Sequence, residues 1–155
     1  MTARMEAGLE QRLNTATAQQ VEVHLALCDA QFVPPLRARV DIPAYAAKIV
    51  ARAHRFEAWS GDTLVGLVAA YVDDAAARAF VTNVSVLPAW SGRGVASALL
   101  LRCIAHARGA RMGEIRLEVD RRNAAAISLY ERIGFRHAAG EGPQAAMTLQ
   151  IGNTT

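Results

Sequence analysis

The stretch VLPAWSGRGVASALLLRC, Val86 to Cys103, decides how the chain folds. An apolar strand end meets a proline, two glycines flank an arginine, and a helical pattern without a further breaker follows. A strand, a glycine-rich turn and a helix start together leave several backbone N–H groups without intrahelical partners, at the positive end of a helix dipole. Gly92 and Gly94 carry no Cβ to hold an anion away, and Arg93 adds a charge. The segment Ser91-Gly92-Arg93-Gly94 therefore reads as an anion cradle or as a plain tight turn. Two nucleotide motifs are excluded. No Gly-Lys-Ser/Thr follows the loop, and Ser97 stands where the third glycine of G-x-G-x-x-G belongs.

Working toward the C-terminus, the helix after Gly94 keeps Ala96, Leu99, Leu100, Cys103, Ile104 and Ala107 on one face, and Gly109 suits its C-cap. GEIRLEVD is then a strand, reached by a helical crossover of the length a parallel neighbour needs. Ile115, Leu117 and Val119 face one side of it; Arg116, Glu118 and Asp120 face the other, as in a strand beside a cleft or in an exposed edge strand. A last helix opens on Asn123 as N-cap and closes at Gly134, with Asn123, Ile127 and Tyr130 along one side. FRHAA and AAMTLQI, joined through Gly140-Glu141-Gly142-Pro143, form a closing hairpin.

Working back from Val86, HRFEAWS, TLVGLVAAYV and AFVTNVSVL read as an antiparallel meander, broken at Ser60-Gly61-Asp62 and Asp73-Asp74. Before it, GLEQRLN is a weak strand, and Thr17 to Cys28 carries Val21, Leu25 and Cys28 at helical spacing until Pro34-Pro35 ends the helix. Asp41 caps a second helix whose Pro43 falls in the first turn. The order β-α-α-β-β-β-α-β-α-β-β predicts an α/β (α+β) fold, a mixed and mostly antiparallel sheet with helices on both faces. The 155 residues fit one domain, 1–155.

Composition narrows the function classes. The net charge is +3, and the arginines scatter from Arg4 to Arg136 without a basic stripe, so a nucleic-acid partner is not expected. Cys28 and Cys103 sit far apart in apolar helical patterns, which suggests reduced thiols in place of a disulfide or a metal site. His24, His54, His106 and His137 lack metal-ligand spacing, and His24 and His106 are expected at helix surfaces or boundaries. No signal-like or membrane-spanning run is visible, so a soluble cytoplasmic protein is expected.

With the loop and the C-terminal segment together, the sequence resembles the GNAT N-acetyltransferases over nearly the whole chain. That family's loop is Gln/Arg-x-x-Gly-x-Gly/Ala, which Ser91-Gly92-Arg93-Gly94-Val95-Ala96 matches with Ser91 as the departure. LEVDRRNAAAISLYERIGF is similar to the corresponding segment of the ribosomal-protein N-terminal acetyltransferases. The resemblance implies acetyl transfer from acetyl-CoA to an amine, without a metal. It implies that the Ser91 to Ala96 loop holds the pyrophosphate and that the strand ending at NVSV carries a bulge whose backbone, at Val84, Ser85 and Val86, binds pantetheine and polarises the thioester carbonyl beside a splayed neighbouring strand. It assigns Asn123 to the cofactor arm, Tyr130 as general acid and Glu118 as general base. For the acceptor it nominates Phe32, Arg37, Arg39, Tyr45, Tyr71, Asp73 and Asn83. The expected acceptor is a small-molecule primary amine. The alternatives are a protein N-terminus or lysine and, in another class, a non-catalytic acetyl-CoA-binding module. A homodimer through the sheet edge or C-terminal strands is compatible with the resemblance.

Overall fold

The computed structural model describes residues 8–138 and 140–152. Along the chain, β1 (Glu10–Leu13) leads to α1 (Ala18–Cys28), two 3-10 turns (Asp29–Gln31 and Leu36–Ala38) and α2 (Ile42–Arg52). The meander β2 (His54–Ser60), β3 (Thr63–Asp73) and β4 (Arg78–Val86) follows. A 3-10 turn at Pro88–Trp90 then opens into α3 (Val95–Gly109), β5 (Glu114–Asp120), α4 (Ala124–Ile133), β6 (Arg136–His137) and β7 (Gln144–Gln150). This is the element order that the periodicities predict.

The strands form one sheet in the order β1-β2-β3-β4-β5-β7-β6. Every pair is antiparallel except β4 with β5, the pair that α3 connects. Leu99, Leu100 and Cys103 of α3 pack with Val68, Ile115 and Leu117 on one face. Val21, Leu25 and Ile49 of α1 and α2 pack with Trp59, Leu67 and Ala69 on the other. Helices thus cover both faces, which is why β3, in the middle of the sheet, is apolar from Leu64 to Ala70.

Local chemistry sets the helix ends. Thr17 and Gln20 form a reciprocal capping box at the start of α1, and the Asp41 carboxylate accepts from the Ala44 N–H at the start of α2. Asn123 caps α4 as the sequence predicts, and Gly134 ends it at φ 123°. Two expectations are corrected. α3 ends at Gly109, as the sequence predicts, but Gly109 is its last helical residue in place of its cap, and the residue that turns left-handed is Arg111, at φ 65°. The helix runs that far because Ala107 is still buried in the core and holds the last turn down. The first strand of the closing hairpin is only two residues long, Arg136 to His137, and Ala139 of the expected FRHAA strand lies outside the described residues.

Between β3 and β4 the register shifts: Ala70 faces Val81 but Ala69 faces Asn83, leaving Thr82 as the extra residue of a bulge. One added residue flips every later side chain to the other face. Val81 packs toward α3, whereas Asn83 and Ser85 turn toward α1 and α2, and Val84 and Val86 turn toward α3.

Gly66 on β3 lets α3 approach the sheet. A Cβ there would sit 2.7 Å from Val95 Cγ1 and 3.2 Å from Leu99 Cδ1. Gly66→Val is expected to lower stability by about 1–3 kcal/mol through overpacking under the first turn of α3. A denaturation midpoint equal to that of the wild type would show that α3 can lift without cost.

Candidate active site

β4 and β5 pair in parallel only from Arg78–Glu114 to Val81–Leu117, and beyond that point each goes its own way. The β5-facing edge of β4 after Val81 has no strand partner among the described residues, and between the two strands opens a cleft of about 650 Å³. Its lining contains Val84, Ser85 and Val86 from β4, Glu118 from β5, and Asn123 and Tyr130 from α4. Ser91, Gly92, Gly94, Val95 and Ala96 complete the wall at the start of α3. Residues far apart in sequence are therefore gathered by the parting of two neighbouring strands.

The loop before α3 is built for exposed N–H groups. Gly92 and Gly94 sit at φ 76° and 81°, the left-handed region, while added Cβ atoms would meet nothing within 4 Å. Their requirement is thus conformational and leaves the space above them open. Gly94 caps α3 without a side-chain acceptor, and no acidic residue occupies the first turn, so the helix's positive end faces the cleft. Ser91 Oγ lies 3.4 Å from the Leu87 carbonyl, a weak brace. Arg93 is placed outside the cleft wall, its guanidinium 5.1 Å from the centroid of the Trp90 ring.

Tyr130 is buried against Phe135, ring centroids 5.9 Å apart, and its phenol has no hydrogen-bond partner among the described residues. Burial pushes that phenol up to about 12, so it stays protonated at neutral pH. Glu118 is exposed at the cleft rim with no partner among the described residues. Asn123 spends its carbonyl oxygen on the Ala126 N–H, 3.2 Å away, which leaves its NH2 as donor. Ile127, on the same predicted stripe, packs into the core and does not line the cleft. Asp120, held down to about 2 by hydrogen bonds from Arg122, is a fixed negative charge at the end of β5.

On the α1–α2 side, Phe32, Arg39, Tyr45 and Asn83 line the cleft. Tyr45 donates to the Thr82 carbonyl at 2.7 Å, which fixes the bulge. Three nominated residues stand elsewhere. Arg37 ion-pairs with Asp29 at 3.4 Å in a separate shallow depression, Tyr71 lies under Lys48, and Asp73 accepts from Ala76 in the β3–β4 turn. Leu36, Val40, Phe80 and Trp90 also line the cleft and were not picked out from the sequence. Their apolar character is indistinguishable there from core. His24 is a correction: it is fully buried beside Ser85, not a surface or boundary residue. Its position three residues after Val21 and four before Cys28 puts it on the helix's core face, a signal the spacing does contain.

Residues 22–135 match the acetyltransferase (GNAT) family. The chain belongs to the GNAT acetyltransferase family. Solved structures agree in fold. A PaiA N-acetyltransferase from Thermoplasma acidophilum, in complex with coenzyme A, is 15% identical over 91% of this chain and 99% of that one, with a TM-score of 0.73. The ribosomal-protein-S18-alanine N-acetyltransferase from Escherichia coli is 21% identical over 94% and 97%, with a TM-score of 0.74. YncA from Salmonella typhimurium, solved with its cofactor acetyl-CoA, is 20% identical over 93% and 94%, with a TM-score of 0.72. No curated protein matches the sequence. As a GNAT acetyltransferase the protein uses acetyl-CoA as co-substrate, and the open space over Gly92 and Gly94, the uncapped α3 and the unpaired edge of β4 suit that ligand. Among the described residues of this GNAT protein, no three His, Cys, Asp or Glu side chains gather as metal ligands would. No helix there is long and apolar enough to cross a membrane.

Proposed function

We propose that the protein transfers the acetyl group of acetyl-CoA directly to the primary amine of a small molecule. The observation that carries this reading is the parting of β4 from β5 over the uncapped, glycine-started end of α3. Acetyl-CoA supplies a thioester, an electrophilic acetyl group on a thiolate leaving group. The N–H groups at the start of α3 hold the pyrophosphate, a contact that any residue at 91 can support through its backbone. The free edge of β4 at Val84 to Val86 offers backbone hydrogen bonds to the pantetheine arm, and the Asn123 NH2 donates to the same arm.

The two proton transfers fall to side chains whose settings differ. Glu118, open to solvent at the rim, takes a proton from the acceptor's ammonium, directly or through water, because only the neutral amine can attack. Tyr130, buried and protonated, gives a proton to the departing thiolate. Burial pushes the Cys28 and Cys103 thiols up to about 12, so neither is set up as a nucleophile, which favours direct transfer over an acyl-enzyme. The same two free, buried thiols fit a reducing, cytoplasmic location.

Support for a small acceptor comes from the recess on the α1–α2 side. Phe32, Leu36, Val40, Tyr45 and Phe80 give it walls, with the Arg39 guanidinium near enough to help hold the Asp120 carboxyl down. The test is release of CoA thiol from acetyl-CoA in the presence of aliphatic and aromatic primary amines, amino acid amides and alanine-led peptides. Turnover with free amines supports the reading; turnover with peptides alone replaces the acceptor class, and tight acetyl-CoA binding without any turnover would make the protein a binding module. Glu118→Gln should lower kcat/KM by roughly 10²-fold near pH 6 and much less near pH 9, where the amine loses its proton unaided. An unaltered pH profile removes Glu118 from the base role.

A further inference from the structure

The splayed half of β4 carries a buried chain of polar groups that the proton transfers above leave unused. His24, on the core face of α1, is 1% exposed, with Nδ1 3.0 Å from the Leu64 carbonyl oxygen and Nε2 2.9 Å from Ser85 Oγ. Ser85 Oγ lies 2.7 Å from one end of the Asn83 side-chain amide. The other end has no hydrogen-bond partner among the described residues, although Asn83 is only 3% exposed and lines the cleft.

Counting hydrogens gives this chain a direction. A carbonyl oxygen only accepts, so the proton of the imidazole sits on Nδ1 and points at Leu64. The polar contacts of His24 bring no negative charge, and burial holds the ring neutral, down to about 4, so Nε2 is a bare lone pair. Ser85 has one hydroxyl proton and gives it to Nε2; Cys28 Sγ, at 3.7 Å, is a weaker and more distant donor. With its proton committed, Ser85 Oγ can only accept from Asn83. The two ends of an amide are interchangeable in shape and are assigned by their partners. The Asn83 nitrogen therefore faces Ser85, and its carbonyl oxygen takes the unpartnered end. The Tyr45 phenol stands near enough to the Asn83 amide to interact with it, but its proton goes to the Thr82 carbonyl at 2.7 Å and no hydrogen bond to that end of the amide forms.

We propose that His24 and Ser85 are positioning residues that hold the Asn83 carbonyl oxygen toward the acceptor side of the cleft, where it accepts an N–H of the incoming amine. This rests on the acetyl-transfer reading for its purpose but not for its geometry. The reversed amide would set N–H against N–H and repel the acceptor. The bulge at Thr82 is what makes the arrangement possible, because it turns Asn83 and Ser85 to the face that α1 covers.

Two measurements test it. In protein labelled with nitrogen-15 at histidine, His24 should show the neutral Nδ1–H tautomer from neutral pH down to about pH 5; a protonated ring or an Nε2–H tautomer there overturns the proposal, whatever the enzyme does. In kinetics with the best amine of the panel, His24→Phe and Ser85→Ala should each raise the acceptor KM by about tenfold while the acetyl-CoA dissociation constant stays within about twofold. Adding Asn83→Asp to either variant should recover most of the loss, because a carboxylate presents an acceptor oxygen whichever way it turns. An unchanged acceptor KM in folded Ser85→Ala, or equal loss of acetyl-CoA affinity without rescue, contradicts the proposal. If no amine turns over, the function proposed above fails, and the tautomer measurement alone decides this inference.

Discussion

Tyr130→Phe lowers turnover by about 10²–10⁴-fold while acetyl-CoA binds as before. The expectation follows from what the substitution removes. Tyr130 is held by its ring, which stacks edge-on against Phe135 at 5.9 Å and stays in place as phenylalanine. The hydroxyl has no partner to lose among the described residues, so its removal leaves the protein's own hydrogen bonds intact. What disappears is the proton donor to the leaving thiolate. Because burial pushes the phenol up to about 12, the acid form persists through neutral and mildly alkaline pH, and the wild type should show no alkaline loss of turnover from this group below about pH 10. Single-turnover rates with the best amine, measured beside an acetyl-CoA titration, check both halves. Unchanged turnover removes Tyr130 from the acid role.

Glu57→Ala should cost about 3–5 kcal/mol of folding stability, a loss large enough to leave a marginally stable domain partly unfolded. Glu57 is completely buried on β2, and its carboxylate accepts from the Thr15 N–H, the Thr15 hydroxyl at 2.6 Å, the Ala16 N–H and the Trp59 indole N–H. It also faces Arg55, whose Nε lies 3.5 Å away and whose side chain is itself buried. Truncation strands several donors and one buried cation together. The affected segment, Thr15 to Thr17, is the one that launches α1, so the damage should reach His24 and Cys28 on that helix. Urea denaturation followed by tryptophan fluorescence reads the change, and a loss below about 1 kcal/mol would mean that water replaces the carboxylate at little cost.

The element order was legible because each element carries its own signal: the turns at Ser60-Gly61-Asp62 and Asp73-Asp74 that divide the meander, the capping residues Asp41 and Asn123, and the turn at Gly134. The cleft's main walls were legible through the glycine loop and the segment from Glu118 to Tyr130, since these lie at chain positions where the resemblance is local. The position of the bulge was not. The resemblance implies a bulge in the strand ending at NVSV, but the polar doublet Thr82-Asn83, where AFVTNVSV stops alternating, went unread as the mark of the extra residue that turns Asn83 and Ser85 to the α1 face. Glu57 shows the opposite failure, because a carboxylate in a strand normally points to water, and only the tertiary arrangement of Thr15, Ala16 and Arg55 explains its burial. Gly66 did carry a signal, a lone glycine inside a strand, whose meaning is the close approach of Val95. Arg37 and Arg39, two residues apart, could not be told apart by sequence. Asp29 claims the first, and the second faces the cleft.

The most direct test of the central claim is calorimetric titration of the protein with acetyl-CoA, run beside CoA and inorganic pyrophosphate. The account predicts a single site with a dissociation constant on the order of micromolar for acetyl-CoA and CoA, and much weaker binding of pyrophosphate, because the strand edge and the helix start act together. A well-folded sample that binds neither nucleotide, or binds pyrophosphate as tightly, would contradict it.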